Sequence, residues 1–368
     1  MTAAAPHWDV FCRVVDNYGD AGFCWRLARL LVHAQRLDVT LWIDHVDALA
    51  RIVDDVDPAV AGQRVDGVHV RRFDDAAVDA RPGVAVIEAF GCGLPARFLD
   101  AMERERPVWV NLEYLSAEAW VDGVHGLPSP QPQRPLTRWF YFPGFTHATG
   151  GLLHERGLAA LRDACVDEPG TGALDVSLFC YANRGLPALL ETWAQGGETL
   201  RLQVAEGVAT GDFAHWLGRP LPPAPSRVAR GALQVSVLAL VTQPAYDHRL
   251  WRCDLNIVRG EDSFVRAQWA RKPMVWHAYR QAERAHRTKI DAFLARYLEN
   301  SSANDAASLR AFWHAFDDED GDGLALAWPS LRAALASLDA HAAHWADRLQ
   351  ALPELSSALV SFVEMRHN

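Results

Sequence analysis

The sequence predicts an α/β protein made of two doubly wound halves in tandem, each a mainly parallel sheet with helices on both faces. Three observations carry this. Short β-branched runs alternate with amphipathic stretches, the alternation halts at a proline-rich segment, and it then restarts for a second round. A chain of 368 residues has room for two such halves, since an ordinary domain takes about 150.

In the first half the strand signals are WDVFCRVV (8–15), VTLWI (39–43), VHVRRF (68–73), VAVIE (84–88) and VWVNL (108–112). A helix is expected over 22–35, where GFCWRLARLLVHAQ sets apolar residues at helical spacing. Strand runs so nearly continuous in apolar residues suit a sheet buried on both faces. GLPSPQPQRP (126–135) and WFYFPGF (139–145) come next, and their prolines argue for a long surface connection instead of a central strand.

A loop near EPGTGA (168–173) separates the halves. The second round offers strands at LDVSLFCY (174–181), RLQVAE (201–206), LQVSVLALV (233–241), DLNIV (254–258) and MVWH (274–277), with helices through LPALLETWAQ, around YDHRLWRC and over 262–271. The last third reads as helical, from 281–298 through to 352–365. Two such sheets are expected to face one another across a cleft at the carboxyl ends of their strands, where ligands of open sheets usually bind.

Composition narrows the function. Half the residues are hydrophobic and 22% charged, the balance of a globular chain. Lys and Arg number 36 against 46 Asp and Glu, and a net charge of −10 disfavours a general nucleic-acid binder. No apolar run approaches the roughly 20 residues that span a bilayer, and MTAAAPHWDVF has neither a basic start nor a long apolar stretch, so a cytoplasmic protein is expected. The six cysteines, at 12, 24, 92, 165, 180 and 253, form no CxxC pair and are expected to be mostly reduced, buried thiols. His341 and His344 in HAAHW are too few for a zinc site. DDEDGDG (317–323) imitates the start of a calcium loop, but its twelfth position is Pro329 where a bidentate Glu is needed, so a solvated loop is expected.

Two constellations can carry chemistry. The first is V-V-D-N-Y-G-D-A-G (14–22), which puts Asp16 and Asp20 four apart on a turn feeding a helix. Gly19 and Gly22 do not complete a dinucleotide fingerprint, and an acid in the turn would repel a pyrophosphate, although Asp44 after the second strand could imitate a ribose-binding acid. Helix capping by one of the two aspartates is the competing explanation.

The second is D-L-N-I-V-R-G-E-D-S-F (254–264), a strand, a turn at Gly260 and a helix start bearing Glu261, Asp262 and Ser263. A helix start offers unpaired N–H groups to a phosphate, with the Ser263 hydroxyl as an added donor. A plain cap by Asp262 or Ser263 is the alternative there. Phe179 and Tyr181 share one face of a strand end and suit either a stacked base or the core, while T-Q-P-A-Y-D (242–247) adds Gln243 and Tyr246 at another strand end.

DNYGDAGFCWRLARLL, NLEYLSAEAWV (111–121), GLPSP, FPGFTHATGGLL (142–153) and above all RGEDSFVRAQWARKPMVWH (259–277) resemble the bacterial protein-arginine rhamnosyltransferases that modify translation elongation factor P, the EarP family. The likeness is spread over nearly the whole chain, although Ala21 and Ala119 depart from the family strings. It implies a GT-B glycosyltransferase with a Rossmann-like acceptor-binding domain at 1–170, a helix at 350–368 packing back on it, and a Rossmann-like nucleotide-sugar domain at 171–349.

The resemblance further implies inverting transfer of L-rhamnose from dTDP-β-L-rhamnose to an arginine side chain of elongation factor P, with no metal and no cofactor. By resemblance, Asp16, Asp20 and Glu261 are catalytic, while Phe179, Tyr181, Gln243, Tyr246, Asp262 and Ser263 bind the donor. Glu113, Tyr114 and the aromatic segment 139–145 are candidates for the acceptor interface, the aromatics having an interdomain anchor as their other reading. A nucleotide-sugar-binding protein without turnover, and a transferase using another donor and acceptor, are the rival functions.

Overall fold

The computed structural model describes residues 5–16, 18–73, 80–166, 172–280 and 284–367. Asn17, most of the loop expected at 168–173 with the 170/171 boundary, and 281–283 at the start of the expected helix 281–298 lie outside them. The chain divides into two compact units, Met1–Arg156 with Leu349–Asn368, and Gly157–Arg348.

The first unit runs β1 (His7–Cys12), α1 (Gly19–His33), β2 (Asp38–Ile43), α2 (Val46–Ala50), β3 (Gly62–Val65), β4 (Val68–Arg72), β5 (Ala85–Ala89), α3 (Ala96–Glu105), β6 (Val108–Leu112), α4 (Val121–Val124), β7 (Pro128–Pro130) and β8 (Thr137–Tyr141). Its sheet has the order β3-β4-β2-β1-β5-β6-β8-β7. All neighbours are parallel except the pairs β3/β4 and β7/β8. The central strands are buried along nearly their whole length, as crossover helices on both faces require. Helix α1 lays Phe23, Cys24, Leu27 and Leu31 into that core, each fully buried. A buried side chain of leucine or phenylalanine size contributes about 1.5–3 kcal/mol.

The proline-rich region departs from the expected surface connection. Residues 137–141 form β8, in register beside β6, with Trp109 opposite Arg138 and Leu112 opposite Tyr141. Pro128 and Pro130 fall in β7, the sheet's last strand, where a missing N–H donor costs least, Pro132 and Pro135 lie in the connection that follows, and β8 itself contains none.

The second unit runs α5 (Leu158–Val166), β9 (Leu174–Leu178), α6 (Leu186–Ala194), β10 (Leu200–Ala205), α7 (Thr210–Leu217), β11 (Ser226–Arg230), β12 (Leu233–Leu238), α8 (Gln243–Arg252), β13 (Leu255–Arg259), α9 (Glu261–Trp269), β14 (Met274–His277), α10 (Ala285–Tyr297), α11 (Ala303–Asp317) and α12 (Gly321–Gln350). The sheet order is β11-β12-β10-β9-β13-β14, parallel but for β11 against β12. The acidic run 317–323 is a solvated loop only in its middle, where Asp318 and Asp320 are exposed, its two ends lying in helices. Asp317 closes α11, is buried, and accepts a hydrogen bond from Arg287 at 2.9 Å, and only residues 318–320 separate α11 from α12.

The last helix, α13 (Leu355–His367), belongs to the first unit. The Leu355 N–H bonds to the Leu152 carbonyl, and the Glu354 carboxylate accepts the backbone N–H groups of Ser356 and Ser357 at the helix start. Leu355, Leu359, Phe362 and Val363 join the core beneath β1, β5 and β6. No described helix is long and apolar enough to cross a membrane. All six cysteines are free thiols, with Cys12, Cys24, Cys180 and Cys253 buried and Cys92 and Cys165 partly so.

Candidate functional site

In the first unit β1, β5 and β6 are adjacent and parallel, so the segments that follow them emerge at one sheet end. After β1 the chain turns into α1, and Asp20 in its first turn is 1% exposed. One oxygen, Oδ2, accepts the backbone N–H groups of Val15 and Asp16, each at 2.9 Å. The other, Oδ1, accepts the Tyr114 hydroxyl at 3.2 Å. A carboxylate has about four acceptor positions, and the three held by described residues keep it orientated. Asp16 is half-buried on the same turn, its carbonyl accepting the Gly19 N–H at 2.7 Å.

Tyr114 is itself fixed. Its ring stacks on Phe90, with centroids 4.1 Å apart and planes 8° from parallel. Beside it the Asn111 side chain accepts the Gly91 N–H and donates to the Glu113 carboxylate at 2.5 Å. Asp16, Asp20, Glu113 and Tyr114 therefore gather at one end of the first sheet.

Asp44 does not resemble a ribose-binding acid. One of its oxygens accepts the N–H groups of Val14 and His45, so it ties down the loop that carries Asp16. Most of the aromatic segment 139–145 is likewise committed. Tyr141, Phe142 and Phe145 are buried, and Trp139 and Tyr141 pack edge-on against Phe362 of α13. These rings seat the terminal helix.

In the second unit β9 and β13 are neighbours, Phe179 and Tyr181 following the first and Glu261, Asp262 and Ser263 the second, while Gln243 and Tyr246 come after β12. Strand β13 leads through Gly260 into α9; its φ of 69° and ψ of 176° are backbone angles that only glycine adopts cheaply. Gly260 is the N-cap in place of Asp262 or Ser263, and no side chain caps the helix. Glu261 and Asp262 lie buried in the first turn, with Ser263 half-buried beside them.

Gln243 and Tyr246 belong to α8, not to a loop. The Gln243 amide donates to Asp262 at 2.9 Å. Burial raises the Tyr246 phenol well above its ordinary value, with the nearby Ser263 acting in the opposite direction. The Tyr246 ring meets Phe179 edge-on at 5.9 Å. Phe179 and Tyr181, past the end of β9, are both half-buried, and the Arg259 guanidinium lies over both rings, 4.6 and 4.7 Å from their centroids. His277 meets Tyr181 edge-on at 5.2 Å, and burial, followed by the charges of Arg280 and Arg259, brings its pKa down to about 3, so the ring stays neutral.

The six donor-binding candidates and Glu261 thus gather around one end of the second sheet. Two features there escape the sequence reading. Arg259 stood inside the longest family-like string, and a cation directly before a strand-to-helix glycine was the available signal. The ion pair of Asp247 on α8 with Arg266 on α9, bidentate at 3.0 and 2.7 Å and almost wholly buried, had none. Among the described residues no group of three or more His, Cys, Asp or Glu is placed to hold a metal ion.

Comparison with known proteins finds matches over nearly the whole chain. A family model described as elongation factor P (EF-P) rhamnosyltransferase EarP matches residues 8–364. A protein-arginine rhamnosyltransferase of Pseudomonas putida is 45% identical over 372 residues, covering 96% of this chain and 98% of that protein. A solved structure reported as the basis for EarP-mediated arginine glycosylation of EF-P is 32% identical, with a TM-score of 0.68 over 98% of this chain and 99% of that one.

Acinetobacter baumannii MurG is only 13% identical at a TM-score of 0.53, covering 98% and 99% of the two chains, and speaks to fold alone. The architecture is that of the GT-B glycosyltransferases, two Rossmann-like units in one chain. The residues at both sheet ends sit in a sequence that belongs, over almost its entire length, to the EarP family of elongation factor P rhamnosyltransferases.

Proposed function

We propose that the chain is an inverting protein-arginine rhamnosyltransferase, moving L-rhamnose from dTDP-β-L-rhamnose to an arginine side chain of elongation factor P. The observation that carries this reading is the family match over residues 8–364. The clusters at the two sheet ends supply the chemistry it needs. The first unit receives the acceptor arginine and the second the nucleotide sugar.

A guanidinium is protonated at ordinary pH, with a pKa above about 12, and its lone pairs are delocalised, so it is a poor nucleophile. In this reading Asp16 accepts guanidinium hydrogen bonds and localises the charge. Asp20 is the general base, taking a proton from the attacking nitrogen as the new C–N bond forms and the bond from the anomeric carbon to the diphosphate oxygen breaks. Attack on the face opposite the leaving group inverts the anomeric centre, and no covalent enzyme intermediate is required. Glu261, buried at the start of α9, belongs in this reading to the sugar or the reacting centre.

For the donor, the aromatic rings of Phe179, Tyr181 and Tyr246 suit the flat thymine, and the Gln243 amide, orientated by Asp262, suits a polar edge of the base or ribose. The uncapped N–H groups of α9 and the Ser263 hydroxyl suit the diphosphate, whose developing negative charge they stabilise without a metal.

Incubation with dTDP-β-L-rhamnose and elongation factor P, followed by intact-mass measurement of the acceptor, is expected to show the gain of one deoxyhexose. An unchanged acceptor mass refutes the assignment. Ser263→Ala is expected to weaken dTDP binding by about 1 kcal/mol, some fivefold, the usual value of one hydrogen bond. An unchanged dissociation constant by calorimetry removes Ser263 from the diphosphate site.

A further inference from the structure

On the first unit an open pocket of about 370 Å³ lies beside the C-terminal half of α1, away from the residues assigned to catalysis. Its wall carries four arginines, Arg26, Arg29, Arg36 and Arg156, with His33 and a single carboxylate, Glu155. The chain as a whole has a net charge of −10, so this is a local reversal of sign.

Part of the positive charge is internally balanced. Arg26, only 2% exposed, donates to Glu155 at 3.0 Å, and Arg29 and His33 both bond to Asp66, at 2.5 and 2.9 Å. Arg36 and Arg156 are exposed and make no ion pair among the described residues. Basic residues in the last turn of a helix complement its dipole, which accounts for His33. That effect does not explain Arg36 beyond the helix, held at a φ of 61°, or Arg156, which comes from the far end of this unit's first segment.

Guanidinium groups match the paired oxygens of a phosphate, and several around one concavity favour a multiply charged ligand over a single carboxylate. The volume falls at the lower end of the roughly 300–1,000 Å³ typical of small-molecule pockets. We infer that this pocket binds a small molecule through a phosphate or pyrophosphate group. The inference does not depend on the catalytic assignments.

The test is calorimetric titration of the full-length chain with inorganic pyrophosphate, beside a variant carrying Arg36→Asn and Arg156→Gln. Asparagine tolerates the left-handed backbone of position 36. The parent is expected to bind pyrophosphate with an affinity that falls as salt rises, and the double variant to bind at least about tenfold more weakly while keeping its affinity for dTDP. No binding by the parent, or equal binding by the variant, overturns the inference. Citrate competing as well as pyrophosphate rejects the phosphate preference. A glutamate-rich peptide that binds where pyrophosphate does not makes the pocket a protein-docking surface and also overturns it.

Discussion

Asp20→Asn is expected to lower the rate of rhamnose transfer by about 10²–10⁴-fold, the usual contribution of a positioned general base, while the dissociation constant for dTDP changes by less than about twofold. The substitution is chosen for what it keeps. An asparagine carbonyl oxygen can accept the Val15 and Asp16 N–H groups that Oδ2 of Asp20 holds, so the turn into α1 retains its tether. What it loses is basicity, because an amide nitrogen takes no proton in the neutral range. The Tyr114 hydroxyl must also turn to accept where it had donated. Single-turnover rates with saturating donor separate the chemical step from binding. Retention of more than about a tenth of the parent rate excludes Asp20 as the base, and a large loss of dTDP affinity shows that the change acts on folding or on the donor.

The other large effect is on stability. Arg266→Met is expected to destabilise the second unit by about 3–5 kcal/mol, because it strands the Asp247 carboxylate in a site where both partners are at most 5% exposed. Removing both charges together, with Asp247→Leu added, is expected to restore most of that loss, since a buried pair replaced by apolar groups of similar volume is often neutral. Urea unfolding followed by tryptophan fluorescence reads both. A single variant within about 1 kcal/mol of the parent shows that the pair is not worth what its burial implies. The pair joins α8, which carries Gln243 and Tyr246, to α9, which carries Asp262 and Ser263, so the single variant should also blunt dTDP binding.

Much of this molecule was legible from residue order alone. VWVNL and MVWH mark β6 and β14 to the residue, because central parallel strands are short apolar runs with clear limits. The strand signal at 8–15 overruns the strand itself. Val14 and Val15 continue the β-branched run, but their N–H groups bond to Asp44 and Asp20 and not to a neighbouring strand, so β1 stops at Cys12. The edge strands β3, β7 and β11 went unseen, since their half-exposed mixtures of proline, arginine and small residues carry little period-two signal.

At the sites, acids and aromatics in distinctive strings were visible, while their partners were not. Asp44 against Val14, Tyr114 against Asp20 and Asp247 against Arg266 are meetings of distant segments, and a single chain gives no cue to such pairings.

The terminal helix imposes an order on biosynthesis. About 200 residues separate Arg156 from Leu355, so during translation the β1–β8 sheet emerges from the ribosome well before the helix that covers one of its faces. At about 5–20 residues per second that interval is roughly 10–40 s. Throughout it the apolar patch awaiting Leu359, Phe362 and Val363 is open to water and to chaperones, while the whole second lobe is being made. A helix made after the second unit therefore completes the first, and a stop codon placed ahead of Leu355 would leave that earlier domain unsealed.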